Sequence, residues 1–247
     1  MPTALSFTVA DDPWLGSILG RPALRLSAGG AQAGLAQRLQ AERLFATAKI
    51  GTDQIGLVKD LQAAGCYVVD VLLGFAVPAK DVSAPAKGNR IRMAAPTDRD
   101  AVFSIAATAF RYTRFHLDPV IPDALANRIK AEWAASFFTG QRGDCLLVAE
   151  DADGRPQGFL LSLATKDSLV IDLIAVAPAA AGGSLGTAMI AALAEQARLQ
   201  GKARLQVGTQ AANAAAARFY EKAGFRLQNA QYVLHHHGID TRYTAQA

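Results

Sequence analysis

The chain has 247 residues, of which 51% are hydrophobic and 19% are charged, and its formal net charge is +4. This composition is typical of a globular protein with a sizeable core. Basic residues are dispersed rather than clustered, which weakly favours anionic ligands and argues against nucleic acid as a partner. Asp172 and Pro178 interrupt the best apolar run, so no run of about 18 apolar residues predicts a membrane-spanning helix.

Residues 1–80 predict a small unit of alternating strands and helices. Strand-like segments are 4–9, 23–26, 44–49 and 66–75, and helix-like segments are 31–42 and 54–64, the latter ending at Gly65 as a helix C-cap would. We interpret Trp14 as a packing anchor in a short loop. Cys66 and Cys145 lie in apolar runs and are predicted to be buried free thiols, which favours a reducing compartment and a cytoplasmic protein.

Residues 81–88 are rich in Pro, Ala and polar residues without hydrophobic periodicity, which predicts a linker. A larger unit, 89–247, follows. It begins with a strand at 90–93, a helix from 97 to about 110, and a second helix that carries Trp133, Phe137 and Phe138. Strands at 144–150 and 157–164 flank a turn, and a central strand follows at 168–176. A helix, a strand at 202–208, a helix at 213–223 and a closing pair of strands at 225–236 complete the prediction.

The central strand runs into a Gly-rich turn and then into an Ala/Leu-rich helix. Branched apolar residues end at Pro178, Gly182 and Gly183 follow, and helical spacing begins near Leu185. A strand, a tight loop and a helix in this order direct free backbone N–H groups and the positive end of a helix at an anion. An ordinary strand-to-helix turn is the alternative.

Two motifs carry a family resemblance. The first is V-x-P at Val176–Pro178 with the Gly-rich turn, and the second is N-x-x-A-x-x-F-Y-x-x-x-G-F from Asn213 to Phe225. Together they resemble the acyl-CoA site of the GCN5-related N-acetyltransferase (GNAT) superfamily over residues 89–236. The resemblance implies an α/β (α+β) fold with a mixed central sheet flanked by helices, an acyltransferase activity, and acetyl-CoA as cofactor.

The resemblance also implies the cofactor-binding residues. The family pattern Arg/Gln-x-x-Gly-x-Gly/Ala falls on Ala181, Ser184 and Gly186, and only Gly186 agrees, which places one pyrophosphate contact in doubt. Gly182 and Gly183 supply backbone freedom instead. The implied set is Leu173, Ile174, Ala175, Val176, Ala181, Gly182, Gly183, Ser184, Leu185, Gly186, Thr187, Asn213, Ala216 and Tyr220.

An internal echo links the two units. Gly51-Thr52 followed by a helix ending in Ala64-Gly65 parallels Gly208-Thr209 followed by a helix ending in Ala223-Gly224. The first copy has Leu61 where the second has Tyr220, so we interpret residues 1–80 as a truncated, non-catalytic GNAT-like domain. This organisation, together with Ala48–Ile50 and Thr113–Phe115, is similar to the dTDP-fucosamine acetyltransferase group. That resemblance implies a small-molecule acceptor, the amine of a nucleotide-linked amino sugar used in polysaccharide biosynthesis.

Direct attack of an amine on a thioester requires a neutral amine and a proton for the departing thiolate. The superfamily places a general acid where Tyr220 stands, although a core aromatic is the alternative. Asn213 is implied as a cofactor contact, and it is also a good helix N-cap. Asp172, His116 and a water relay are candidates for deprotonating the amine. Arg111 and Arg114, with His116, are candidate acceptor contacts because guanidinium groups suit phosphate oxygens.

Three consecutive histidines near the end of the last predicted strand are a candidate metal site. His235, His236 and His237 are consecutive on a predicted strand, where side chains alternate between faces, so we predict no metal site.

Acetylation of another small amine, such as an amino acid, a polyamine or an aminoglycoside, is an alternative function. A non-catalytic acyl-CoA-binding protein is a second alternative. We expect no membrane partner, and a homodimer is the candidate assembly.

Overall fold

The computed structural model describes residues 5–32, 34–83, 88, 90–239 and 241–243. The strands within these residues are β1 Leu5–Asp11, β2 Ala23–Gln32, β3 Phe45–Gly51, β4 Tyr67–Pro78, β5 Arg90–Met93, β6 Cys145–Glu150, β7 Pro156–Ala164, β8 Ser168–Val176, β9 Arg204–Gln210 and β10 Arg226–His237. The α-helices are α1 Pro13–Leu19, α2 Leu35–Ala41, α3 Ile55–Ala63, α4 Arg99–Ala109, α5 Asp123–Ala135, α6 Leu185–Leu199 and α7 Ala214–Lys222. The ten strands form one mixed sheet in the order β1-β2-β3-β10-β4-β9-β8-β7-β6-β5.

Helices cover both faces of this sheet. On one face, α6 and α7 pack over a core that includes Phe75, Leu193 and Val207, while α2 and α3 pack over a second core at the β2–β3 end. On the other face, α4 lies over a core that includes Phe159 and Leu173, and α5 meets α1 in a fourth cluster. The predicted α/β class with a mixed central sheet is confirmed.

The prediction of two closing strands at 225–236 is wrong, because this segment is the single strand β10. It lies antiparallel between β3 and β4, and β4 lies antiparallel to β9. The place of the expected second closing strand beside β10 is therefore taken by β4, which comes from the N-terminal part of the chain. The pairing joins residues far apart in sequence, so a local hydrophobic pattern carried no signal for it.

The two ends of the sheet resemble each other and form an approximate repeat. β2 is parallel to β3, and β8 is parallel to β9. Each pair is followed by a nine-residue helix, α3 or α7, that ends before a glycine with positive φ, at 93° for Gly65 and 90° for Gly224. The predicted division into 1–80, 81–88 and 89–247 stays a prediction, and residues 84–87 of the predicted linker lie outside the described residues.

The segment around Trp14 was predicted as a loop, and the structure makes it helix α1. Asp12 accepts a hydrogen bond from the Leu15 N–H at 3.1 Å as an N-cap, and Pro13 occupies the first helical position. These are standard start signals, but seven residues are too few to show helical periodicity. Cys66 and Cys145 are buried free thiols, as predicted. Among the described helices, none has the length and apolar character needed to cross a membrane.

Candidate active site

Strand β8 separates from β9 halfway along its length. The parallel pairing runs from Ser168 opposite Arg204 to Ile171 opposite Val207, while β8 continues to Val176. On its other side β8 stays paired with β7, and a bulge at Asp172 shifts the register between Ile171 and Leu173. The predicted residues Leu173, Ile174, Ala175 and Val176 therefore form a strand edge that faces the gap between β8 and β9.

The turn after β8 leads into the N-terminus of α6. Gly182 has φ +86°, a left-handed conformation that suits glycine, and Ser184 is the N-cap without a side-chain capping bond. The first intrahelical hydrogen bond is made by Ala188 N–H to the Ser184 carbonyl. The N–H groups of Leu185, Gly186 and Thr187 consequently project from the end of a fifteen-residue helix, which is a suitable arrangement for a phosphate.

Helix α7 lies directly against the start of α6. A Cβ on Gly186 would come within 3.0 Å of the Phe219 ring, so glycine permits the close contact. The Asn213 side chain accepts the Ala216 N–H at 3.1 Å and caps α7. Ala216 belongs to the apolar cluster that also contains Ile174, Val176 and Leu185. The predicted cofactor residues thus gather at the junction of β8, α6 and α7.

Tyr220 is 4% exposed and packs among aromatic rings. Its ring centroid lies 6.2 Å from Phe75, 5.3 Å from Phe219 and 5.6 Å from Phe225. Burial raises the pKa of the phenol above its ordinary value, so Tyr220 stays protonated at neutral pH. No described residue hydrogen-bonds its hydroxyl. Phe75 belongs to β4, so the N-terminal part of the chain helps to hold this tyrosine.

A cleft of about 760 Å³ lies on the face of the sheet that α1 and α5 cover. Its lining comes from both ends of the chain: Asp12, Pro13, Trp14, Leu15, Ser17, Arg25, Leu26, Ser27, Thr47, Ala48 and Lys49 on one side, and Arg114, Trp133, Ser136, Gln141 and Arg142 on the other. Trp14 and Trp133 meet edge to face with centroids 5.7 Å apart. A cavity of this size, with aromatic walls and several polar groups, is typical of a small-molecule site.

Asp172 links the bulge of β8 to this cleft. Its carboxylate accepts hydrogen bonds from Arg142 Nε at 2.6 Å, from Arg142 Nη2 at 2.7 Å and from Trp133 Nε1 at 2.7 Å. Both oxygens are therefore engaged in a bidentate ion pair. This arrangement orients Arg142 and Trp133, and it leaves Asp172 poorly placed to accept a proton.

The three predicted acceptor contacts have different positions. Arg114 lines the cleft, and its Nη1 donates to the Thr47 hydroxyl at 2.6 Å. His116 lies in the same loop, but its ring nitrogens contact the Thr113 hydroxyl at 2.7 Å and the Asn127 carbonyl oxygen at 2.9 Å. Arg111 is exposed. Only Arg114 of this set is among the residues that line the cleft.

Sequence reasoning did not assign Lys49, Trp133 and Arg142 to the site. The sequence did contain a signal that could have assigned Lys49 to the site. It is a lone cation in the apolar strand β3, inside the segment Ala48–Ile50 that carries the group resemblance. Trp133 and Arg142 had none, because they reach the cleft from α5 and from the loop after it.

Asp118, His235 and His237 form a buried cluster behind Arg114. His235 Nδ1 and His237 Nε2 lie 2.6 Å and 2.8 Å from Asp118 Oδ2, and the Tyr67 hydroxyl donates to Oδ1 at 2.7 Å. His235 and His237 alternate with His236 along β10, so these two share a face. Among the described residues this trio could ligate a metal ion. The arrangement is equally a hydrogen-bonded network of imidazoles around one carboxylate, which joins β4 and β10 to the loop that carries Arg114.

Comparisons with known proteins agree with this architecture. The model of the Acetyltransferase (GNAT) family matches residues 101–225, half of the chain. Spore coat polysaccharide biosynthesis protein SpsD of Bacillus subtilis is 29% identical over 192 residues, which are 77% of this chain and 66% of that protein, just under two thirds of its length. A dTDP-fucosamine acetyltransferase of Escherichia coli O6:H1 is 28% identical over 190 residues, 76% of this chain and 80% of that protein.

A solved structure supports the same fold. The GCN5-related N-acetyltransferase from Sphaerobacter thermophilus aligns with a TM-score of 0.63 at 15% identity, over 95% of this chain and 78% of that chain. Members of the matched family are acyltransferases that use acetyl-CoA. The chain belongs to the acetyltransferase (GNAT) family.

Proposed function

We propose that the chain transfers the acetyl group of acetyl-CoA to the amine of a nucleotide-linked amino-deoxy sugar. The observation that carries this proposal is the cleft of about 760 Å³, which combines two tryptophans with four basic side chains. An acceptor with aromatic, sugar and phosphate parts fits that lining better than a simple amine, which needs none of these cations. The name of the Escherichia coli relative, an acetyltransferase of dTDP-fucosamine, supports the same acceptor class.

The residues at the β8–α6–α7 junction fit acetyl-CoA. The projecting N–H groups of Leu185, Gly186 and Thr187 suit its pyrophosphate, and Gly182 and Gly183 allow the turn to approach closely. The free edge of β8 at residues 173–176 suits the amide groups of its pantetheine arm. Bound there, acetyl-CoA supplies an activated carbonyl. Asn213 caps α7 through its Oδ1, which leaves its side-chain N–H groups available to the cofactor.

Tyr220 is proposed as the general acid. It is a protonated phenol in an apolar surrounding, and its match to the family motif supports a position beside the leaving thiol. A phenol can protonate a thiolate because the ordinary pKa values of the two groups are close, and the apolar surrounding that raises the pKa of the phenol also raises that of a thiol leaving beside it. The remaining contribution of the chain is positioning, since a correctly oriented amine needs little further activation.

Deprotonation of the amine is assigned to water in the cleft. Asp172 is held by Arg142 and Trp133, and both nitrogens of His116 are engaged. The cations of the cleft favour the neutral form of an amine that binds near them, because a second positive charge is repelled there. A cytoplasmic location and a homodimer stay predictions.

Thiol release from acetyl-CoA tests the proposal with the purified chain. Acceptors are dTDP- and UDP-linked amino sugars, the same amino sugars without nucleotide, and an amino acid, a polyamine and an aminoglycoside. We expect kcat/KM for one nucleotide-linked sugar to exceed that of its free sugar by at least about 100-fold, the scale expected when several buried contacts are lost. Equal or faster turnover of simple amines would contradict the acceptor. CoA binding without any release would favour the non-catalytic alternative.

A further inference from the structure

We propose that Lys49, Arg114 and Lys130 form a binding subsite for the diphosphate of the acceptor, built jointly by strand β3 and the α4–α5 segment. This inference rests on the proposed function, because it names the part of the acceptor that the cleft recognises. Three observations carry it: within the described residues none of the three cations has an acidic partner, Lys49 and Arg114 line one cleft, and Lys130 packs on the ring of Trp133, which lines the same cleft.

Lys49 projects from β3 into the cleft. Among the described residues it has neither an ion pair nor a hydrogen-bonding partner for its ammonium group. Its side chain is exposed in the cleft, where the surrounding protein desolvates it enough to lower its pKa, and the Arg114 guanidinium lowers the pKa further. A cation in this position is held against repulsion from its neighbour, and a bound anion would relieve that repulsion.

Arg114 faces Lys49 from the loop between α4 and α5. Its guanidinium lies 4.6 Å from the centroid of the Phe115 ring, and its hydrogen bond to the Thr47 hydroxyl orients it without neutralising it. No carboxylate in the described part of the chain forms an ion pair with it. Burial lowers the pKa of Arg114 to about 10, which still leaves it charged at neutral pH. A fixed, charged guanidinium fork matches two phosphate oxygens.

Lys130, on α5, is not one of the lining residues, but it is only 9% exposed and packs on the Trp133 ring, which lines the cleft. Its Nζ lies 4.4 Å from the centroid of Trp133, a wall of the cleft, and 5.3 Å from that of Phe110. No described acceptor hydrogen-bonds this ammonium. Most of this lysine is removed from water while its ammonium group keeps no protein acceptor, so a bound anion would stabilise its charged form.

The acidic groups of the cleft are already committed to other partners. Asp172 pairs with Arg142, and Asp12 caps α1 and lies 3.6 Å from Arg25 Nε. Lys49, Arg114 and Lys130 therefore leave an excess of positive charge when all three are protonated. A ligand with two negative charges balances most of it, and the diphosphate that joins a nucleoside to a sugar has that charge.

The pyrophosphate of acetyl-CoA is a different ligand at a different place. Its proposed site, residues 182–187, contributes nothing to the lining of the cleft. Trp14 and Trp133 line the cleft beside the cations, and their rings offer surfaces for a base or a sugar ring. The predicted ligand class is thus a nucleoside diphosphate sugar, with its reactive sugar directed towards Asp172 and the gap between β8 and β9.

Calorimetric titration of dTDP into the full chain tests the subsite. CoA is present at saturation, so that the nucleotide cannot occupy the α6 N-terminus, and thymidine and dTMP are titrated in parallel. We expect dTDP to bind at least about 100-fold more tightly than thymidine. Lys49→Met, Arg114→Met and Lys130→Met should each weaken dTDP binding by about tenfold or more, the usual loss for a charge-assisted contact. Arg128→Met, an exposed cation two residues from Lys130, is the matched control with less than about a twofold change.

Two further readouts separate recognition from a structural role. Burial lowers the pKa of Lys130 to about 7, and Lys49, Arg114 and Arg142 contribute while Asp172 opposes them. A bound diphosphate should raise it, so dTDP binding at pH 7.5 should take up protons in the native chain and fewer in Lys130→Met. The free Lys130→Met variant should also melt at a higher temperature than the native chain, because it no longer buries an unpaired charge.

The subsite is wrong if dTDP binds no more tightly than thymidine, or if the three variants bind it as Arg128→Met does. If nucleotide amino sugars are acetylated while none of the three substitutions changes the affinity for dTDP, the proposed function is supported and the subsite is wrong. If only simple amines are acetylated, the acceptor assignment fails, and the dTDP titration alone then decides whether the cleft is a diphosphate site.

Discussion

The two ends of the sheet share a framework and differ in what they can bind. Each has a parallel strand pair, followed by a nine-residue helix that ends at a positive-φ glycine. At the β8–β9 end, α6 has 15 residues with a free N-terminus, and Tyr220 stands in α7. At the β2–β3 end, α2 has seven residues, and Leu61 takes the place of the tyrosine.

This difference indicates a division of labour. The β8–β9 end has the features that suit acetyl-CoA. The β2–β3 end keeps the strands, and their residues Arg25, Thr47 and Lys49 line the cleft that we propose for the acceptor. The exchange of β4 and β10 holds the two ends together, so neither site is complete without the other part of the chain. Four predictions test this comparison.

The largest expected effect is on catalysis, at the residue that distinguishes α7 from α3. Tyr220→Phe should lower kcat by about 10²- to 10⁴-fold, since a general acid is lost, while the ring packing is kept. The affinity for CoA should change less than about twofold, a difference of under about 0.5 kcal/mol. Steady-state kinetics and calorimetry measure the two quantities. Tyr232→Phe, on β10 against the β2–β3 core, is the control, and an equal loss there would contradict a specific role for Tyr220.

The next effect concerns the joint between the two ends. Asp118→Asn should lower the free energy of unfolding by about 3 kcal/mol, because a buried carboxylate that accepts bonds from two histidines and Tyr67 is replaced by a group that cannot accept them all. Denaturant unfolding gives the value, and the exposed Asp153→Asn is the control with less than about 0.5 kcal/mol. A loss as small as that of the control would mean that the cluster does not join the two ends.

The same cluster should make stability depend on pH. Burial lowers the pKa of His235 to about 4, with repulsion from Arg114 and His237 adding to it and Asp118 opposing it. The unfolded histidine, with a pKa near about 6.5, then binds protons that the folded one rejects. This contribution is fully present above pH 6.5 and is lost as the pH falls towards 4. His235→Asn retains a donor for Asp118 but does not titrate, so melting temperatures measured from pH 7 to 4 should fall less steeply. If the melting temperatures of His235→Asn and the native chain fall in parallel, His235 is not the source of the pH dependence.

A smaller effect is expected at the turn before α6. Gly182→Ala should weaken CoA binding by about tenfold, because a residue with a Cβ is strained by about 1–2 kcal/mol at φ +86° and the turn shifts to relieve it. Gly201→Ala carries a similar strain at the other end of α6, with φ +66° and no neighbour within 4 Å. It should lower stability without changing CoA affinity. Equal affinities for the two variants would argue that the turn does not contact the cofactor.

The elements of the proposed cofactor end could be predicted from the sequence because their signals are local. The V-x-P motif, the glycines at 182 and 183 and the Asn213–Phe225 motif lie within one continuous segment, and the structure brings them together at β8, α6 and α7. The proposed acceptor end could not, since Lys130 and Arg142 come from distant elements and each alone resembles a surface cation, and only Lys49 stands out, as a cation in an apolar strand. The alternation rule separated His236 from its neighbours correctly, but it also placed His235 and His237 on one face, where Asp118 meets them.

A crystal structure of the chain with CoA and a non-reacting nucleotide-linked sugar tests the central claim most directly. We expect CoA along residues 173–187, with its sulfur beside Tyr220, and the nucleotide against the Trp14 and Trp133 rings with its diphosphate on Lys49 and Arg114. The reactive position of the sugar should then face the sulfur across the gap between β8 and β9. A nucleotide bound outside this cleft, or a sugar turned away from the sulfur, would contradict the shared site.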